Sequence, residues 1–199
     1  MNNIKETNDQ LDSKKYKTIY ADPPWNESGG GKIKRGADKH YPLMKTKEII
    51  NMAEFIKSIS NENCHLYLWV TNNFLPDGLK VMNSWGFRYI TKIDWVKEGR
   101  MGLGQYYRGC SESCLFGIKG KLPYKIIDGK RQQGRTGFIA PKSEHSEKPE
   151  FMRQQIEKVS YPPFVEIFAR PKENNNLVFE ENKIDEWDYI GNQADGTIF

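Results

Sequence analysis

Short continuous apolar runs and stripes of apolar residues at helical spacing take turns along this chain from Tyr16 onward. The first run, Tyr16 to Ala21, is β-prone and ends abruptly at Asp22-Pro23-Pro24-Trp25. Ile49, Met52, Ala53, Ile56 and Ile59 then recur at intervals of three and four, which predicts a helix from an N-cap at Thr46 to about Ser60. His65 to Val70 reads as a second buried strand and Leu75 to Trp85 as a second helix stopped by Gly86. Arg88 to Lys97 and Ser111 to Lys119 are strands joined by a loop, Glu98 to Gly109, that is rich in glycine and tyrosine. A helix entered through Pro149 runs to about Val159. Phe164 to Arg170 is the next strand, and Trp187 begins another that ends in a Gly191-Asn192-Gln193 turn. Strands alternating with helices in one series predict a single α/β domain.

Composition is consistent with that reading. The chain has 199 residues, 37% of them hydrophobic, enough for one domain with a proper core and too few for two comfortable ones. Residues 1–15 are polar and read as a leader to a domain over 16–199. No apolar run approaches the roughly 20 residues that span a bilayer, and the start lacks the apolar segment of a signal peptide, so a cytoplasmic protein with no membrane partner is expected. Three cysteines without paired metal spacing predict free thiols and no zinc or other metal.

Charge changes the picture locally. The net charge is only +4, yet residues 119–142 carry seven Lys and Arg against Asp128 alone, and residues 173–195 carry seven acids against Lys183. Such a run is either a solvated face or a polyanion site. The basic segment is also glycine-rich and carries Tyr124 and Phe138, which favours nucleic acid, with Lys125, Lys130, Arg131 and Arg135 as phosphate contacts. Gly29-Gly30-Gly31-Lys32 lacks the spacing of a phosphate-binding loop and reads as part of a lid.

The strand exit at Asp22 has an unusual polarity. Each proline fixes φ, and Pro24 pushes Pro23 away from helical geometry, so the tetrapeptide is a stiff, extended segment. Neither proline has an N–H, so the loop presents acceptors: the Asp22 carboxylate and carbonyls such as that of Pro23. A planar ring with an exocyclic amine suits it, one hydrogen going to Asp22 and the other to a carbonyl, with Trp25, or Tyr41, stacked on the ring. Adenine fits that description. A proline-rich strand exit with a packed tryptophan is the plainer alternative.

Asp22-Pro23-Pro24-Trp25 resembles the catalytic signature of N6-adenine methyltransferases, and the chain around it is similar to the MT-A70 family. Three further motifs follow in the family's order: His145-x-x-Lys148-Pro149, Phe168-Ala169-Arg170 and Gly191-Asn192-Gln193. The resemblance covers about Tyr16 to Phe199 and implies a Rossmann-like methyltransferase fold, circularly permuted so that the catalytic strand precedes the cofactor strands. It implies S-adenosylmethionine as cofactor, with Asp22, Lys148, Arg170, Asn192 and Gln193 in its site. Asp22, Pro23, Pro24 and Trp25 would form the catalytic loop. The acidic connection from Lys172 to Glu186 is longer than the family's usual one, which leaves the ribose contacts there unassigned.

The implied reaction is direct methyl transfer to the N6 amine of adenine in nucleic acid, with DNA favoured, RNA the alternative, and no metal required. Two other classes compete with it. A non-catalytic nucleic-acid-binding subunit is opposed by the intact Asp22 motif, and a dinucleotide dehydrogenase by the lack of G-x-G-x-x-G after any strand. A homodimer or a partner subunit is compatible with a chain that has no separate recognition domain.

Overall fold

The structure, a computed structural model, describes residues 14–26, 43–99, 101–102, 106–121, 124–142, 147–169 and 187–191. Its first strand, β1 (Tyr16–Ala21), lies inside a seven-stranded sheet, flanked on both sides. The others are β2 (Ser60–Val70), β3 (Arg88–Glu98), β4 (Ser111–Lys119), β7 (Gly137–Pro141), β8 (Phe164–Ile167) and β9 (Trp187–Ile190), in the order β7-β3-β4-β2-β1-β8-β9. Only β4 runs against its neighbours; β1 is parallel to both β2 and β8, and β8 to β9. A small hairpin of β5 (Ile126–Ile127) and β6 (Lys130–Arg131) stands apart from this sheet.

The alternating sides of β1 explain why its buried end, Ile19 to Ala21, is apolar. Ile19 and Ala21 face one core, shared with Ile49, Met52, Ile56, Val81, Met82 and Trp85, which come from α1 (Thr46–Asn51), α2 (Ala53–Ile59), the residue between them, α3 (Leu75–Ser84) and the residue after it. Tyr20 faces the other core, where Met152 and Ile156 of α4 (Glu150–Val159) meet Tyr67, Trp69, Trp95, Phe164 and Trp187. A strand covered on both faces has no polar side to show. The result is a mixed α/β sandwich of three layers, consistent with the Rossmann-like architecture expected. Among the described residues no helix is long and apolar enough to cross a membrane.

Three local expectations need correction. The helix predicted from Thr46 to Ser60 is two, because Met52 has φ −70° and ψ 0° and donates its N–H to Ile49, closing a tight turn. Its cap lies one residue earlier than Thr46, where the Lys45 N–H is held by the Glu48 carboxylate at 2.7 Å. The second strand begins at Ser60, not His65: Ser60 pairs with Tyr16, and the register then shifts before His65 pairs with Thr18. Gly86 does end α3: at φ +87° it takes the left-handed position, and Phe87 donates back to Met82 at 3.0 Å.

Strand β7 and the hairpin were not foreseen. Gly137 to Pro141 pairs in parallel with Asp94 to Glu98 at the margin of the sheet, where Pro141 costs no ladder bond. The basic segment, expected as an open loop, folds back as the hairpin and docks on the end of α4, the Lys125 N–H donating to the Val159 carbonyl at 3.0 Å.

Candidate active site

Parallel strands bring their C-terminal ends to one edge of the sheet, and Asp22 leaves β1 there, between the ends of β2 and β8. Its Oδ2 accepts a hydrogen bond from Lys148 Nζ at 2.6 Å. Lys148 reaches this edge because it stands just before α4, which crosses the face of the sheet from the end of β7 to the start of β8. The predicted catalytic and cofactor motifs, 126 residues apart in the chain, therefore meet in a direct ion pair.

A second acid joins them. Glu112, near the start of antiparallel β4, places Oε2 3.4 Å from Lys148 Nζ and holds Lys97 of β3 through Oε1. Asp22, Lys148, Glu112 and Lys97 thus form a row of alternating charge, each side chain less than a quarter exposed. Burial by itself raises the Glu112 carboxyl pKa, but the Lys148 charge and the hydrogen bond and charge of Lys97 outweigh it and hold the group below its ordinary value. Replacing Glu112 by Gln should therefore remove a pH-dependent part of the stability. A carboxyl whose folded pKa is depressed stabilises above its unfolded value and loses that contribution as the pH falls through the folded one. The stability gap between wild type and Glu112→Gln should be full above the ordinary glutamate value of 4.5 and close below it, as read by urea unfolding across acid pH.

Aromatic rings floor this row. Lys148 Nζ lies 5.4 Å above the Trp69 ring and Lys97 Nζ 4.9 Å above the Trp95 ring, and the two indoles meet edge to face. The Trp69 N–H donates to the Tyr20 hydroxyl at 2.7 Å and that of Trp95 to the Ala140 carbonyl at 3.0 Å, so both rings are fixed. Cys114 is fully buried on the same side of the sheet; burial, with the Asp22 charge adding to it, pushes its thiol well above the ordinary value and keeps it neutral.

Trp25 is placed differently from the open stacking surface expected of it. It is 5% exposed, donates its indole N–H to the Trp69 carbonyl at 2.9 Å, and stacks on Phe74 with centroids 5.2 Å apart. It lies in the core between β1 and α1 to α3, which is the packed-tryptophan alternative. The proline carbonyls are also engaged: that of Pro23 accepts the Trp25 N–H at 2.9 Å and that of Pro24 the Met44 N–H at 2.8 Å. Each keeps a second lone pair. The Asn26 N–H also donates to the Met44 carbonyl at 3.1 Å, so Pro24 and Asn26 are both tied to Met44. Tyr41 lies outside the described residues, as do Arg170, Asn192 and Gln193.

The strands leading to those last three are described, and their ends touch. The Ala169 N–H donates to the Ile190 carbonyl at 3.3 Å, and a Cβ on Gly191 would lie 2.9 Å from the backbone N and O of Ala169. Glycine is required where the Phe168-Ala169 and Gly191 motifs pass one another.

The basic residues do not surround Asp22. Lys125, Lys130 and Arg131 sit where α4 ends and β8 begins, and the length of α4, about 15 Å, separates that end from Lys148. Lys125 Nζ donates to the Glu157 carbonyl, and Arg131 stacks 3.8 Å over the Tyr124 ring while bonding its hydroxyl. Arg135 precedes β7, which joins β3 only at Asp94, part way along that strand. Sequence proximity to the Lys148 motif was misleading because β7 and α4 carry the chain from one edge of the sheet to the other and back.

Glu112 and Lys97 were missed. The signal available was an acid on the core-facing side of β4, in step with buried Cys114 and with Phe116. Only the strand register, Trp95 opposite Glu112, says which cations it meets.

Comparison with known proteins gives the family. The chain is 30% identical over 209 residues to type II methyltransferase M.MunI of a Mycoplasma species, covering 93% of this chain and 87% of that one. It is 27% identical over 191 residues to the human N(6)-adenosine-methyltransferase catalytic subunit METTL3, of which it spans 29%. It is also 31% identical over 128 residues, 59% of this chain and 16% of the relative, to the N6-adenosine-methyltransferase non-catalytic subunit MTB of Arabidopsis thaliana. The MT-A70 family profile matches residues 16–190, a span that begins with β1 and ends with β9, and the chain belongs to that family.

Proposed function

We propose that this protein methylates the exocyclic N6 amine of adenine in nucleic acid, using S-adenosylmethionine. The observation that carries the reading is the Asp22–Lys148 pair, which joins the acceptor loop to the cofactor motif at the edge where the parallel strands end. The residues present fit the cofactor in two places. Lys148 and the N-terminus of α4 suit a carboxylate, and the ends of β8 and β9, where Gly191 passes close against Ala169, lie beside each other as a nucleoside site would need. Arg170, Asn192 and Gln193 follow directly from those strand ends. The catalytic strand comes first in the chain, as a circularly permuted member would have it.

When bound, the cofactor supplies a methyl group on a sulfonium. The protein's task is the amine, whose lone pair is delocalised into the ring. With Oδ2 of Asp22 held by Lys148, Oδ1 accepts one amine hydrogen, and the second lone pair of the Pro23 or Pro24 carbonyl accepts the other. Both bonds favour a pyramidal nitrogen, and Asp22 receives the proton that the nitrogen releases as its new bond to carbon forms. Trp25 serves this arrangement by anchoring the loop.

DNA is the favoured substrate, because a relative matched over most of both lengths is a type II methyltransferase. RNA is the alternative, supported by the adenosine-methyltransferase relatives. A labelled-methyl assay with DNA and RNA in competition tests the choice: label in DNA is expected, and label in RNA alone reverses it. The non-catalytic relative makes a second subunit, whether another copy or a different chain, part of this reading.

Lys125, Lys130, Arg131 and Arg135 would then meet phosphates well away from the target adenine. Replacing all four by Gln should lower the slope of log affinity against log salt on long nucleic acid by roughly 0.7–0.9 per lost contact, and leave short oligonucleotides unaffected. An unchanged slope on both would make the hairpin a solvated face.

A further inference from the structure

The loop between β3 and β4 carries two adjacent tyrosines that stand outside the core: Tyr106 is 93% and Tyr107 92% exposed. Side chains that far in water stabilise no core, and two consecutive exposed phenol rings offer aromatic area to a partner. The neck beneath them is tightly built. The Gly102 N–H donates to the Gly109 carbonyl at 2.7 Å, and the Lys97 N–H to the Cys110 carbonyl at 2.7 Å. Arg108 ties the sides together, its Nε donating to the Gly102 carbonyl at 3.0 Å and its Nη2 to the Met101 carbonyl at 3.1 Å. The neck stands beside the charged row, since Cys110 is two residues from Glu112, whose carboxylate lies 3.4 Å from Lys148.

We propose that Tyr106 and Tyr107 form a stacking platform for unpaired bases next to the target adenine, at the edge of the sheet where Asp22 works. The inference rests on the reading that the substrate is a nucleic-acid adenine. An adenine drawn out of a duplex leaves its neighbours with an exposed face, and aromatic side chains recover that stacking whatever the base. Tyrosine suits the task because it has a broad ring, a wet hydroxyl and only two torsions to fix. The pinned neck means that little further order is lost when the rings engage. Trp25, buried against Phe74, is not free to serve in this way.

The test is binding, without methyl transfer, of a short single-stranded oligodeoxynucleotide that carries adenine and the fluorescent base 2-aminopurine. The double variant Tyr106→Ala/Tyr107→Ala should bind about tenfold or more weakly and lose the quenching of 2-aminopurine. Tyr106→Phe/Tyr107→Phe, which keeps both rings, should stay within about twofold of wild type. Thermal melts should coincide for all three, as expected of side chains outside the core. The proposal fails if the Ala variant binds and quenches like wild type, or if the Phe variant loses as much as the Ala variant. It also fails if the Ala variant changes only the mass in sedimentation, which would make the tyrosines a contact between copies. If wild type binds no oligonucleotide at all, the proposed function falls with it.

Discussion

Replacing Asp22 by Asn should cut methyl transfer by about two to four orders of magnitude while cofactor affinity stays within about tenfold. The amide keeps the size of the carboxylate and one acceptor oxygen but neither the charge nor the ability to take a proton. Lys148 loses the anion 2.6 Å away and keeps Glu112 at 3.4 Å, so the ammonium remains paired and near its place. Single-turnover transfer of a labelled methyl group measures the first quantity and calorimetry with S-adenosylmethionine the second. If both fell together, Asp22 would belong to the cofactor and the acceptor role would pass elsewhere.

Trp25→Ala should be damaging for a different reason. The ring is 5% exposed, stacked on Phe74 and bonded to the Trp69 carbonyl, so its removal opens a large cavity and leaves that carbonyl without its donor. Losses of about 3–5 kcal/mol are usual for such truncations, and the urea midpoint should fall accordingly. Because the Trp25 backbone also bridges to Met44, activity and cofactor binding should decline together as the loop loosens. Trp25→Phe, which keeps a ring but no N–H, should fall between. A Trp25→Ala protein of unchanged stability, with only its grip on adenine weakened, would restore the ring as a stacking surface.

What was legible in the sequence was whatever depends on neighbours along the chain. Apolar runs marked β1, the buried half of β2, β4 and β8, because strands covered on both faces leave no polar positions. Gly86 marked a helix end because only a left-handed residue closes that turn easily. The approach of Lys148 to Asp22 was legible only through the order of four motifs; nothing local says that residues so distant share a hydrogen bond. Strand register hid the rest. Glu112 enters the site because β4 runs antiparallel to β2 and β3, a direction that no periodicity encodes. The hairpin was mistaken for an open loop because its polar composition conceals backbone bonds to α4. Trp25 shows the limit of chemical plausibility, since an indole beside an acceptor loop suits a base and a core equally well, and packing decides.

The most direct measurement is to digest methylated nucleic acid to nucleosides and locate the transferred label by mass spectrometry. The expected result is label on the N6 position of adenine with wild-type protein, and its near absence with Asp22→Asn. Label on any other atom or base, or equal labelling by the variant, would contradict the assignment of Asp22 to the adenine amine.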